Sequence, residues 1–119
     1  MRFDLQARHQ HIDKLVENKL SFDSDDAKLS IYDTYESGFN VPLSSGNVLF
    51  CGMLQGKKVM HVETCDYHHD FLPNESFVLA PNQTVHIDFP DASKPTPTTC
   101  LAIEISTEKL TDIAQRLNI

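Results

Sequence analysis

The sequence predicts a small, mainly β domain, a sandwich or barrel, with a helix at each end. Three observations point there. Short apolar runs with strand-like composition recur through the middle of the chain. Turn signals such as Gln55-Gly56, Leu72-Pro73-Asn74-Glu75 and Pro81-Asn82-Gln83 separate them. Helical spacing of apolar residues occurs only near the two termini.

Taken in order, residues 4–20 read as a helix, because Leu5, Ile12, Leu15, Val16 and Leu20 follow helical spacing. The polar, acidic stretch Ser21–Ala27 reads as a loop. Leu29–Thr34 is the first strand. Residues 38–46, with Pro42 and paired serines, read mainly as loop and turn. The mostly apolar run Asn47–Leu54 is expected to be a strand buried on both faces. Lys57–Thr64 is a strand with mixed faces, and Cys65–Asp70 a polar hairpin connection. Ser76–Ala80, Thr84–Phe89 and Thr99–Ile105 complete the strands, with a proline-containing loop at Pro90–Pro97. In the last strand Leu101, Ile103 and Ile105 share one face.

The chain then turns helical over residues 107–117. Ser106 or Thr107 can cap it, Glu108 favours its first turn, and Leu110, Ile113, Ala114 and Leu117 form one apolar stripe. The barrel is therefore expected over residues 28–105, in one domain spanning 1–119.

Composition bounds the function. A chain of 119 residues suits one core and can bury roughly two-thirds of its unfolded surface. The net charge of −7 and the isolated basic pair Lys57-Lys58 argue against direct binding to duplex DNA. No apolar stretch reaches the ~20 residues of a membrane span. The charged N-terminus lacks a signal-peptide core. Cys51, Cys65 and Cys100 read as reduced thiols of a cytoplasmic protein, since they are odd in number and lack zinc-like spacing. The glycosylation sequons at Asn74 and Asn82 are then chance matches. Cys51 and Cys100 lie in apolar strands, where burial would raise their pKa, so both are expected in the core. No Ser-His-Asp order or phosphate-binding glycine loop is present, and there are only four glycines.

Three stretches, in order, carry a family resemblance. They are Phe50-Cys51-Gly52-Met53-Leu54-Gln55-Gly56-Lys57-Lys58-Val59, then Leu72-Pro73-Asn74-Glu75-Ser76-Phe77-Val78-Leu79-Ala80-Pro81, then Asp88–Ser93 with Pro97–Ile105. The segment from Phe50 to Ile105 resembles the sensor domain of AraC-type transcriptional regulators. Where that family places a glycine, this chain has Asn74, which tolerates left-handed backbone. The same region is similar to the second cupin motif, with Pro81 and His86 retained and both glycines replaced. His61-Val62-Glu63 is the nearest match to the first cupin motif.

The resemblance implies a cupin-like barrel, of the double-stranded β-helix or jelly-roll type. It would bind a small effector and control a C-terminal helix-turn-helix domain that this chain does not contain. A homodimer is implied, with the terminal helix contributing Leu110, Ile113 and Leu117. No catalytic residue, metal or cofactor is expected. His61, Glu63 and His86 are expected to contact a polar effector group, with Met53 and Phe77 lining an apolar wall. These choices rest on strand phase, and a one-residue shift reverses them.

The alternative is a stand-alone cupin enzyme holding iron, manganese or zinc on His61, Glu63 and His86. His61 and Glu63, two apart on a strand, would share a face. His68-His69-Asp70 reads as a solvated turn, and His9 and His11 on a helix would not share a face. Cys65, near the His68-His69 turn, is the one thiol placed for redox chemistry.

Overall fold

The computed structural model describes residues 12–62 and 66–118. These form nine strands and one helix. The strands are β1 (Asn18–Asp23), β2 (Ala27–Thr34), β3 (Gly38–Leu43), β4 (Val48–Gln55), β5 (Lys58–Val62), β6 (His68–Phe71), β7 (Ser76–Leu79), β8 (Val85–Phe89) and β9 (Thr98–Ile105). Helix α1 (Thr107–Arg116) follows. Two antiparallel sheets result, with orders β1-β2-β9-β4-β7 and β3-β8-β5-β6.

The core lies between the sheets. Leu49, Cys51, Met53, Leu79, Cys100 and Ala102 face inward from the five-stranded sheet. Met60, Phe71, Val85, Ile87 and Phe89 meet them from the four-stranded sheet. Alternation along each strand produces this split, because successive side chains leave opposite faces of the pleat.

Several sequence expectations are corrected. Residues 1–11 of the proposed N-terminal helix lie outside the described residues. The remainder is not helical: residues 12–17 are irregular, and Asn18–Asp23 is strand β1. Tertiary pairing overrides the helical spacing here. Tyr35 donates its N–H to the Leu15 carbonyl at 2.6 Å. Asn18 Oδ1 accepts the N–H groups of Asp13 and Lys14 at 2.9 and 3.2 Å. The loop expected at Ser21–Ala27 is therefore partly strand.

The expected loop at residues 38–46 is likewise mostly strand β3. Pro42 is tolerated because β3 is an edge strand, where a missing N–H need not break a ladder. Asn40, at φ 58°, forms an irregularity between Gly38 and Val41. The expected hairpin connection at Cys65–Asp70 instead contributes His68–Asp70 to β6.

Strand β4 is not fully buried on both faces. Leu49, Cys51 and Met53 are buried, while Val48, Phe50 and Gly52 are half-buried. In β9 the inward face is Thr98, Cys100 and Ala102. Leu101, Ile103 and Ile105 lie on the half-buried outer face, opposite Ile31, Leu29 and Ala27 of β2.

The turn chemistry follows the sequence. Gly56 adopts φ 81°, and a Cβ there would lie 2.8 Å from Thr98 Oγ1, so both backbone and space require glycine. Asn74 sits at φ 73° and Asn82 at φ 65°. Ser106 caps α1 by accepting the Lys109 N–H at 3.1 Å. Leu110 and Ala114 are half-buried, whereas Ile113 and Leu117 are exposed.

Candidate functional site

Strand register decides which side chains enter the barrel. In β5 and β8, Met60 pairs with Ile87 and His61 pairs with His86. Ile87 is fully buried, so its whole row faces inward. His61 and His86 therefore face the opposite way, on the outer side of the four-stranded sheet. This corrects their assignment to a pocket wall. Glu63 lies outside the described residues, as does Cys65. Met53 is buried on the inner face, and Phe77 packs against the same core.

On that outer side, His61 Nε2 and Asp88 Oδ2 are 2.7 Å apart. Asp88 Oδ1 also accepts the Asn40 N–H at 2.8 Å. Burial pushes the Asp88 carboxyl up, but the Asn40 N–H and the His61 interaction outweigh it and hold it below its ordinary value. His68 pairs with His61 from β6, their rings 6.0 Å apart. Among the described residues, no group of three or more His, Cys, Asp or Glu is arranged to hold a metal ion.

The interior contains polar groups that strand phase did not assign. Lys58 shares the inward face of β5 with Met60 and is 3% exposed. Its ammonium lies 4.9 Å from the centre of the Phe77 ring across the inter-sheet space, a cation–π distance. It also interacts with the Cys100 thiol. Phe77 packs, tilted by 50° with ring centres 4.7 Å apart, against Phe71, the cross-strand partner of Lys58.

Around this ammonium the five-stranded sheet contributes Cys51 and Cys100, with the half-buried Tyr32 opposite Cys100 on the same face. Glu17, at φ 52°, approaches from the irregular segment before β1. Burial raises the Glu17 carboxyl, and the positive field of Lys58 partly offsets this. Burial, followed by the field of Glu17, pushes the Tyr32 hydroxyl up to about 12. Burial likewise drives Cys51 up to about 12 and raises Cys100, which leaves both as inert thiols in the core, as expected. Asp33 is fully buried on the opposite face of the five-stranded sheet and accepts a 2.6 Å hydrogen bond from the Thr99 hydroxyl.

Sequence reasoning missed Lys58 because Lys57-Lys58 reads as a surface pair. The available signal was its two-residue spacing from Met60, which puts both on one strand face. A separate cleft of about 170 Å³ lies at the barrel rim, lined by Asp23, Asp25, Asp26, Lys28 and Glu104 among others. None of the expected site residues lines it.

Two antiparallel sheets closed around such an interior define the cupin class, and solved structures agree. A cupin superfamily protein from Desulfitobacterium hafniense is similar at 17% identity and TM-score 0.59, covering 82% of this chain and 86% of that one. A cupin domain from Bordetella pertussis is 12% identical, with TM-score 0.59 and coverage of 82% and 100%. A Rhizobium leguminosarum protein of unknown function reaches TM-score 0.71 at 9% identity, covering 89% and 96%. No curated protein matches the sequence. The family described as the AraC-type transcriptional regulator N-terminus matches over residues 27–118, and the chain belongs to that family. No helix among the described residues is long and apolar enough to cross a membrane.

Proposed function

We propose that this chain is the effector-sensing and dimerisation domain of an AraC-type regulator. A small molecule binds between the two sheets and biases an attached C-terminal DNA-binding domain, in a cytoplasmic homodimer. The observation that carries this reading is the family match, which takes in β2 through α1. An effector can shift the regulator only if it binds one arrangement of the domains more tightly than the other. The domain is not an enzyme in this reading, and DNA is reached only through the attached domain.

The displaced imidazoles support the non-enzymatic assignment. A cupin enzyme using His61, Glu63 and His86 would need them inside the barrel, yet His61 and His86 face outward. The helix stripe supports self-association, since Ile113 and Leu117 are 39% and 64% exposed. Such exposed apolar side chains at helical spacing suit a partner helix.

A thermal-shift screen against sugars, fatty acids, aromatic acids and bile-type compounds tests the sensing role. A ligand present at about one hundred times its Kd stabilises by about 2.7 kcal/mol, which a melting curve resolves easily. If no compound stabilises the protein, a dimerising domain without a ligand is the better reading. Light scattering tests the dimer: the double change Ile113→Ser with Leu117→Ser is expected to yield monomer. A variant that keeps the wild-type mass would remove α1 from the interface.

A further inference from the structure

The adjacent lysines Lys57 and Lys58 meet opposite fates. Lys57 reaches Asp70 at 3.6 Å on the surface. Lys58 is 3% exposed in the interior, and among the described residues no carboxylate forms an ion pair with it. Its ammonium has the face of Phe77 at 4.9 Å and the Cys100 thiol. A buried charge is ordinarily paired or neutralised, because an aromatic face and a thiol replace little of its lost hydration. Glu17 is close enough for its carboxyl to sense this charge, but it is not in ion-pair contact.

We propose that Lys58 is the anchor for the carboxylate of a small, apolar-bodied organic monocarboxylate bound between the sheets. This rests on the sensing reading above and names the ligand class. One ammonium matches one negative charge. A phosphate dianion would ask for further cations, and no second lysine or arginine is buried among the described residues. Phe71 and Phe77 pack edge-tilted beside Lys58, with Met53 beside Cys100 and Met60 two residues along β5. These walls suit a hydrocarbon or aryl body. Tyr32 and Glu17, both half-buried, flank the polar side. The ligand's carboxylate supplies the ion-pair partner that Lys58 does not have among the described residues.

The test compares benzoate, hexanoate and octanoate with benzamide, hexanamide and octanamide in thermal-shift assays on the full chain. At least one acid is expected to raise the wild-type Tm by about 2–5 °C, and its amide is expected not to. Lys58→Met should abolish that shift, and Lys58→Arg should retain part of it. The inference is overturned if the amides match the acids, if Lys58→Met responds like wild type, or if no acid moves the wild-type Tm. Stabilisation by neutral compounds in both wild type and Lys58→Met would overturn the carboxylate anchor while leaving the sensing role intact. Should Lys58→Met fail to fold, methyl NMR of Met53 and Met60 in the wild type decides. Saturable shifts with acids but not amides support the site, and unmoved methyl signals overturn it.

Discussion

The barrel interior has two unlike halves under the same burial. Toward β8, Val85, Ile87 and Phe89 are at most 1% exposed and carry no polar side-chain atom. Toward β2 and the start of β5, Thr34, Lys58 and Thr98 are at most 3% exposed and all carry polar groups. The first half contributes stability through apolar area removed from water. The second forgoes much of that gain, since each buried polar group must recover its lost hydration. Natural sequences break the apolar rule inside a core mainly where a site is built. The polar corner is accordingly where the proposed effector contact falls, and the apolar half is its scaffold.

Mutations can break this contrast. The largest effect is expected for Phe89→Ala, which empties a fully enclosed volume in the apolar half. A loss of about 3–5 kcal/mol in urea denaturation is expected. A loss under 1 kcal/mol would show that the scaffold does not reside there.

Thr99→Val probes a buried polar pair on the other face of the five-stranded sheet at almost constant volume. It removes the 2.6 Å hydrogen bond to the buried Asp33 carboxylate, and about 1–3 kcal/mol should be lost. An unchanged stability would mean that Asp33 is adequately held without it.

The smallest effect lies outside both halves. Asp88 is held below its ordinary pKa on the outer face, so its contribution has a definite sign. It is fully present above the unfolded value near 4 and is lost as pH falls through the lower folded value. Asp88→Asn should therefore flatten the fall in stability between neutral pH and about pH 3. The difference is expected to be about 0.5 kcal/mol or less, as for other partly solvated pairs. An identical acid profile in the variant would remove the His61–Asp88 contact from the energetic account.

Much of the fold was legible from local chemistry. The β-branched and apolar runs marked β2, β4, β5, β7, β8 and β9, and Gly56, Asn74 and Asn82 marked turns that require left-handed backbone. Ser106 and the stripe from Leu110 marked α1. Strands β1 and β3 were not legible, for separate reasons. Helical spacing before β1 coincided by chance with residues held by Tyr35 and Asn18. Pro42 in β3 argued against a strand that only an edge position permits.

The candidate site divides the same way. Alternation along β5 puts Lys58 with Met60 and separates both from His61, whatever the fold. It does not say which of the two sets lies inside. The period of a strand is unchanged when its faces are exchanged, so that choice falls to whatever packs against it. The five-stranded sheet covers the Lys58 face, with Phe77 over the ammonium, and solvent receives His61 and His86. Local sequence thus settled the class of the domain and the membership of each strand face. The burial of one sheet against the other placed a lysine, and not the histidines, in the interior.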